Sequence, residues 1–322
     1  METRKVQRLG PSTLAMTLPA EWTQDYGVEK GDEVSLRLDG KGPLTVLPES
    51  IQSEDSEAVI STSGLSADAI ERAIVAQYVL GRRVIHVEAG EEETLPGTHI
   101  NAVYNAETQL MGLGVIEETP DSIAIRCSVD VEDFSLDNLL ERLESTGSTM
   151  RTEAISSLAH QNPDLAQRAL NRERQANKIF VLLLRLIFTA YKNPTLARSV
   201  GLSDSFPLIG YRSIAKNLEL IADNAEDIAE TVLEAEGHAL NIDQATMRQV
   251  REFSDQVGQL TDRAVEAAVE RDYDTATAVR EQFAEMDTRE QEILADLPEL
   301  SNAQLLDVRE VLVSLDQTAQ YA

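Results

Sequence analysis

The chain has 322 residues, which is enough for two or three domains that each bury a core. Asp and Glu number 56 against 28 Lys and Arg, giving a formal net charge of −28, and only six of the 28 cations are lysines. With 42% hydrophobic residues this composition excludes a disordered acidic chain and is typical of a salt-adapted protein, with an acidic mesophilic protein as the alternative. The single cysteine, Cys127, excludes an internal disulfide and a multi-cysteine metal cluster.

The sequence predicts no membrane insertion. The N-terminus lacks the apolar core of a signal peptide. The most apolar stretch, residues 179–190, includes Arg185 and is too short to cross a bilayer, so it is interpreted as a buried helix. We therefore expect a cytoplasmic protein.

Residues 1–48 predict a small β-rich module. Short apolar runs separated by Gly, Pro and Asp predict strands near 14–18, 34–38 and 44–47, with a short helix at 19–26. This module contains six cations and seven anions, so its net charge is near −1, while the net charge of the remainder of the chain is near −27. A small basic cluster stands out near the start: Arg4, Lys5 and Arg8.

Residues 58–130 predict an α/β domain of unknown role. Alternating and helical apolar patterns predict four strands and two helices. The strands are expected at 59–62, 83–87, 114–117 and 122–128, and the helices at 66–80 and 99–110.

Residues 133–322 predict six amphipathic helices, so the protein as a whole is mainly α. The expected helices are 134–160, 163–192, 206–236, 244–271, 274–296 and 303–320. Asp164-Leu165-Ala166 matches Asp274-Thr275-Ala276, and residues 217–225 match 314–322, which indicates an internal repeat. Six helices with one repeat predict two antiparallel three-helix bundles.

Carboxylates are spaced along one face of the first set of helices. Glu219, Asp223 and Asp227 are four residues apart and share a helix face, and Glu173 lies on the preceding helix. Oxygen ligands from two facing helices suit a hard cation, which would relieve their mutual repulsion. From spacing alone, a solvated acidic face is the favoured interpretation.

The segment 217–230, NLELIADNAEDIAE, resembles the signature that closes each bundle of the PhoU family. The helix with Glu173 and Asn177 resembles that family's matching second-helix motif. The resemblance covers 133–322 and implies two three-helix bundles related by a quasi-twofold axis. It also implies a role in phosphate sensing with a subunit of a phosphate ABC transporter. It further implies a divalent or trivalent metal ion in the first bundle, on Glu173, Glu219, Asp223 and Asp227.

Several positions depart from the family pattern. In the first bundle Asn177 replaces an acid, and Asn224 stands where a His is usual. In the second, Phe283 and Gln320 replace acids, while Asp287 and Asp316 remain. Each lost carboxylate removes a negative charge and ligand oxygens. We therefore expect a metal ion to occupy the first site weakly and the second site not at all.

Three motifs near the N-terminus resemble the AbrB/SpoVT swapped-hairpin family. They are residues 4–10 (RKVQRLG), 17–22 (TLPAEW) and 28–34 (VEKGDEV). The resemblance implies an obligate homodimer that binds promoter DNA, with Arg4, Lys5 and Arg8 as the contacts. Pro11 and Thr23-Gln24 replace basic residues of the family, so dimerisation without DNA binding stays an alternative. The fusion with a PhoU-like domain resembles an arrangement of salt-loving archaea.

The sequence predicts a non-enzymatic protein. His86, His99, His160 and His238 are scattered, and there is no Gly-rich phosphate loop or nucleophile motif. We therefore predict a dimeric regulator that couples phosphate status to a transporter, to transcription, or to both. Two alternatives stay open: a transcription factor whose helical domain senses another ligand, and a metal-free adaptor that docks on a transporter.

Overall fold

The structure is a computed structural model that describes residues 3–38, 44–48, 57–91, 93–192, 208–234, 242–286, 288–298 and 300–322. These residues form a small β module, an α/β domain and a large set of helices, so the mainly α fold predicted above is confirmed. Within these ranges no helix combines the length and apolar character needed to span a bilayer.

The described residues of the N-terminal module form two short antiparallel strand pairs and one helix. Its elements are β1 (Gln7–Arg8), β2 (Leu14–Ala15), α1 (Ala20–Asp25), β3 (Val34–Leu38) and β4 (Leu44–Pro48). β1 pairs with β2 and β3 with β4, both antiparallel, and the two pairs lie in separate sheets. Gly27 ends the α1 segment at φ +62°, a conformation that costs glycine little.

The α/β domain is a four-stranded sheet with two helices. Its elements are β5 (Glu57–Ser61), α2 (Ala67–Val79), β6 (Val84–Glu88), α3 (Gly97–Gln109), β7 (Leu113–Glu118) and β8 (Ser122–Cys127). The strand order is β5-β6-β8-β7, with β5 and β6 parallel and the other pairs antiparallel. Each predicted element is present within a few residues of its expected place. Cys127 is buried in this core.

After a 3₁₀ turn (Val131–Asp133), most of the remaining described residues are helical. They are α4 (Leu136–His160), α5 (Pro163–Lys192), α6 (Leu208–Glu234), α7 (Gln244–Glu270), α8 (Tyr273–Met286), α9 (Arg289–Ala295) and α10 (Asn302–Tyr321). α4, α5 and α6 pack on one another as the first bundle, and α7 to α10 form the second. The bundles meet where α6 packs on α10 and α4 packs on α7.

The predicted fifth helix, 274–296, is wrong as a single element. It is divided into α8 and α9, and α9 begins after Thr288. Each of these helices buries few side chains, so neither is held along its whole length by the core. An apolar pattern alone does not reveal this break.

The internal repeat is visible in the turn after the first helix of each bundle. Gln161 and Arg271 both adopt the left-handed conformation, at φ 49° and 61°. In the next residue a side-chain oxygen accepts a hydrogen bond from the amide two residues on: Asn162 from Asp164 and Asp272 from Asp274, each at 3.0 Å. The same local geometry at matched positions supports the alignment of Asp164 with Asp274.

Candidate functional site

An acidic cluster lies where α5 faces α6 in the first bundle. We define it as Glu173 of α5 with Glu219, Asp223, Glu226 and Asp227 of α6. Glu173 interacts electrostatically with Glu219, Asp223 and Glu226, so the carboxylates of the two helices lie close together. The predicted juxtaposition of Glu173 with the α6 carboxylates is therefore present.

The helices position these acids through their apolar faces. On α6, Leu218, Ala222 and Ala225 are buried in the bundle core. Residues beside such a buried stripe emerge at its edge, where Glu219, Asp223 and Glu226 are half-buried. Asp227 lies farther round the helix and is exposed.

Burial and like charge make the cluster unfavourable as a set of carboxylates. Burial raises the pKa of Asp223 to about 6, and the neighbouring Glu219 carboxylate adds to the effect. Burial likewise raises the pKa of Glu226 to about 7, with Glu173 as the next cause. The pKa of Glu173 is also raised by burial, against the opposing effect of Arg174. The cluster is therefore stabilised by protons or cations near neutral pH.

Lys216 already supplies one cation to the cluster. Its ammonium donates a hydrogen bond to Glu219 and lies 5.6 Å from the centroid of the Phe180 ring. Lys216 also lowers the pKa of Asp223, because its charge favours the carboxylate. Glu219 is thus engaged at one end of the cluster, while Glu173, Asp223 and Glu226 repel one another at the other end.

The donor chemistry of the cluster fits a hard cation, since its ligand atoms are carboxylate oxygens. Among the described residues, however, no three His, Cys, Asp or Glu side chains are gathered closely enough to hold a metal ion. The predicted ligands share one surface of the first bundle but do not form an assembled coordination site. Metal binding stays a prediction.

Asn224 and Asn177 are the two positions where the first bundle departs from the pattern of the PhoU family. Asn224 is 4% exposed and donates a hydrogen bond to Thr318 Oγ1 of α10 at 3.2 Å, so it faces the second bundle. Asn177, in contrast, is exposed on α5. Neither residue adds a charge to the acidic cluster.

The matching position of the second bundle has a different chemistry. The Asp316 carboxylate accepts a hydrogen bond from Gln320 Nε2 at 2.7 Å, and Phe283 packs against the core. Asp287 lies outside the described residues. Gln320 thus stands at the position that Asp223 occupies in the first bundle, and its side-chain amide bonds Asp316 on the same helix.

The sequence patterns above did not identify Glu226 or Lys216 as residues of the candidate site. Glu226 is three residues after Asp223 and seven after Glu219, and both spacings place it on the same helix stripe. Lys216 is three residues before Glu219, within reach of it on a helix. A search for all charged residues at three-, four- and seven-residue spacing would have found both.

The predicted DNA contacts lie on the N-terminal module. Arg4, Lys5 and Arg8 are all exposed, and Arg8 in β1 pairs with Leu14 in β2. Of the residues in this module whose side chains are described, none is buried. Val6, Leu9 and Leu14 are 63%, 73% and 64% exposed. The described part of this module therefore presents apolar side chains on its surface.

Models of known families match the first bundle and the N-terminal module separately. A family model described as "PhoU domain" matches residues 140–232, which contain the whole acidic cluster. A second model, "Antidote-toxin recognition MazE, bacterial antitoxin", matches residues 7–52. The two matches fall on different parts of the chain, one on the helical first bundle and one on the small N-terminal β module. The first bundle thus matches the PhoU domain and the N-terminal module matches the MazE family, which confirms both resemblances over these residues.

Among solved structures, the chain is similar to the crystal structure of PhoU from Pseudomonas aeruginosa. The two share 18% sequence identity, and the match covers 58% of this chain and 89% of that one, with a TM-score of 0.48. No curated protein matches the chain.

Proposed function

We propose that the protein is a non-enzymatic regulator of phosphate uptake that acts in the cytoplasm on a subunit of a phosphate ABC transporter. The observation that carries this proposal is the PhoU-domain match over residues 140–232, the part of the chain that holds the acidic cluster. The half-buried, mutually repelling carboxylates support a regulatory role, because their charge state depends on what they bind.

A divalent or trivalent cation is the proposed effector of the cluster. Glu173, Asp223 and Glu226 would hold it, with Glu219 and Asp227 at either end. When bound, it would supply positive charge that offsets the repulsion between α5 and α6. The residues of the chain then orient the two helices, and Lys216 holds Glu219 in place at the edge of the cluster.

The first prediction concerns phosphate uptake. We expect Asp223→Asn with Glu226→Gln to relieve the repulsion permanently, since both changes remove charge with little change in shape. Cells that carry this double variant should regulate phosphate uptake abnormally, with similar rates in phosphate-rich and phosphate-poor medium. The measurement is uptake of labelled phosphate in a deletion strain complemented with each variant.

A matched control removes the same charge from the second bundle. Glu252→Gln with Glu266→Gln changes two exposed residues of α7 and should leave uptake regulated. If the Asp223/Glu226 variant regulates uptake as the control does, the cluster has no part in the response. Equal metal content in the two purified variants would favour a metal-free adaptor.

We also propose that the N-terminal module forms a homodimer that binds promoter DNA. The exposed apolar residues of this module support the dimer, and the MazE-type match over 7–52 supports the fold that such dimers use. Arg4, Lys5 and Arg8 would contact phosphates, and the dimer would double their number. A transcription factor that senses another ligand is the alternative reading of the same module.

The second prediction tests this DNA contact. Arg4→Ala with Arg8→Ala should weaken binding to promoter DNA by a factor on the order of 10–100 and flatten its dependence on salt, because phosphate contacts release counterions. Binding is measured by fluorescence anisotropy over a series of salt concentrations. The control is Arg248→Ala with Arg251→Ala, which removes two exposed arginines from α7. Equal affinity of the two double variants would exclude this surface as the DNA contact.

A further inference from the structure

The C-terminal half of α5 turns one face toward the α/β domain. Four residues of this half recur at three- and four-residue spacing and therefore lie along one line of the helix: Val181, Arg185, Thr189 and Lys192. We call these four residues the α5 stripe. Each of them lies against the α/β domain, although the bundle core is formed by other faces of the same helix.

Arg185 makes the central contact of the α5 stripe. It is 3% exposed, and its Nη1 donates to the carbonyls of Tyr78 at 2.6 Å and Arg82 at 3.1 Å. Its Nη2 donates to the carbonyl of Gly81 at 3.3 Å. The last carbonyls of a helix have few partners within the helix and carry partial negative charge, which a cation offsets. Arg185 therefore caps α2 from a different domain.

The other polar contacts surround this cap. Lys192 Nζ donates to the carbonyl of Leu80 at 3.1 Å. The Arg185 guanidinium lies 4.8 Å from the centroid of the Tyr78 ring, a cation–π distance. The Tyr78 side chain is fully buried in the α/β core, and its hydroxyl donates to the carbonyl of Met111 at 2.8 Å. The cap is thus tied to the core of the α/β domain as well as to its surface turn.

Apolar side chains cross the boundary between the two domains in both directions. Val181 of the α5 stripe packs against the core of the α/β domain. Met111 and Val129 of the α/β domain pack against the core of the helical bundles. Domains that share only a small polar interface move independently by default. Here the two hydrophobic cores are in contact, and the buried guanidinium of Arg185 lies beside that contact.

We propose that the α5 stripe is a docking surface that keeps the α/β domain folded on the first bundle, with Arg185 as its main anchor. Residues 57–130 are then a fixed extension of the bundle and not an independent domain. This extension carries the N-terminal module, which precedes it in the chain. The proposal assigns a role to residues 57–130 and does not depend on the phosphate or DNA responses proposed above.

The test is amide hydrogen exchange of the full chain, followed by mass spectrometry in strands β5 and β8. None of the hydrogen bonds described above reaches these two strands. Arg185→Met keeps a long side chain and removes the capping donors. We expect exchange in β5 and β8 to accelerate by a factor on the order of 10–100, because hydrogen bonds from a charged donor are lost and the whole domain opens more often.

The matched control is Arg168→Met, which removes an exposed arginine of α5 that precedes the stripe. This variant should exchange like wild type in both strands. If Arg185→Met accelerates exchange only in residues 76–83, Arg185 is a local helix cap and the proposal is wrong. Equal exchange of the Arg185 and Arg168 variants in β5 and β8 would also overturn it.

Thr189→Val tests the same surface in the opposite direction and covers the case in which Arg185→Met does not fold. Thr189 Oγ1 is buried and has no hydrogen-bond partner among the described residues, and it lies 2.9 Å from the ideal Cβ position of Gly81. Valine has the same shape and removes the unpaired hydroxyl, so the docked state becomes more stable. Exchange in β5 and β8 should slow about threefold. Exchange as fast as in wild type, or faster, would contradict the docking role of the α5 stripe.

Discussion

Gly258→Ala is expected to lower the free energy of unfolding by about 2 kcal/mol, because overpacking a closed interface and displacing a buried charged group are both costly. Gly258 lies on α7, where α4 of the first bundle packs against it. A Cβ there would overlap Nη2 of Arg151 and lie 3.2 Å from its Cζ. Arg151 is 6% exposed, and its Nη2 donates to Ser148 Oγ at 3.3 Å, so it has little room to yield.

Gly147 of α4 provides a control in the neighbouring contact between α4 and α6. A Cβ on Gly147 would lie 3.7 Å from that of Ala222, an ordinary van der Waals contact. Gly147→Ala should therefore be neutral or stabilise by up to about 1 kcal/mol, since alanine favours the helix. Urea denaturation followed by circular dichroism measures both. If the two glycine variants have the same stability, Arg151 is not confined by Gly258.

Glu144→Gln is expected to reduce the loss of stability that the wild type shows as the pH rises from 5 to 8. Glu144 of α4 hydrogen-bonds Asp262 of α7, so the two bundles meet through a pair of carboxyl groups. Burial and then this contact raise the pKa of Glu144 from 4.5 to about 7, while Arg151 opposes the shift. Asp262 and Asp255 on α7 are the other acids that act on Arg151.

The direction follows from proton binding. In the folded protein Glu144 holds its proton up to about pH 7, whereas in the unfolded chain it loses it near 4.5. The folded state binds more protons between these values, so stability is full below the lower value and is lost as the pH rises through the higher one. Above pH 7, Glu144→Gln should be more stable than wild type by about 1–2 kcal/mol, and at pH 5 the difference should be smaller.

The measurement is the thermal midpoint of wild type and variant across this pH range. Glu141→Gln, an exposed residue one turn earlier on α4, is the control and should keep the wild-type slope. Burial also raises the pKa of Asp223 and of Glu226, so these two carboxyl groups contribute to the pH dependence of stability in all three proteins. Parallel curves for Glu144→Gln and wild type would contradict the carboxyl pair.

Local patterns in the sequence predicted most of the fold. The helices of 133–322 carry a 3.6-residue apolar period and end at Asn, Asp, Gly or Pro, so five of six were placed within about two residues. The match of Asp164 with Asp274 was recognisable because both belong to the same local cap. Glu173, Glu219 and Asp223 were recognisable for a similar reason, because spacing along a helix predicts a shared face.

The break between α8 and α9 escaped prediction, because an apolar period continues across it. Contacts between segments that are far apart in the sequence were not predicted either. Residues 179–190 were correctly interpreted as a buried helix that contains Arg185, but the carbonyls that Arg185 caps are more than 100 residues earlier in the chain. No local pattern identifies partners at such a separation.

By itself, therefore, the sequence determined the helices, the repeat, the acidic surface and the two domain types, since each is encoded in periodicity and short motifs. The tertiary structure alone decided which charges meet. It places Lys216 against Glu219, Glu144 against Asp262, and Arg185 at the end of α2. These contacts depend on helix packing, because burial and the approach of distant side chains set the cost of each charge.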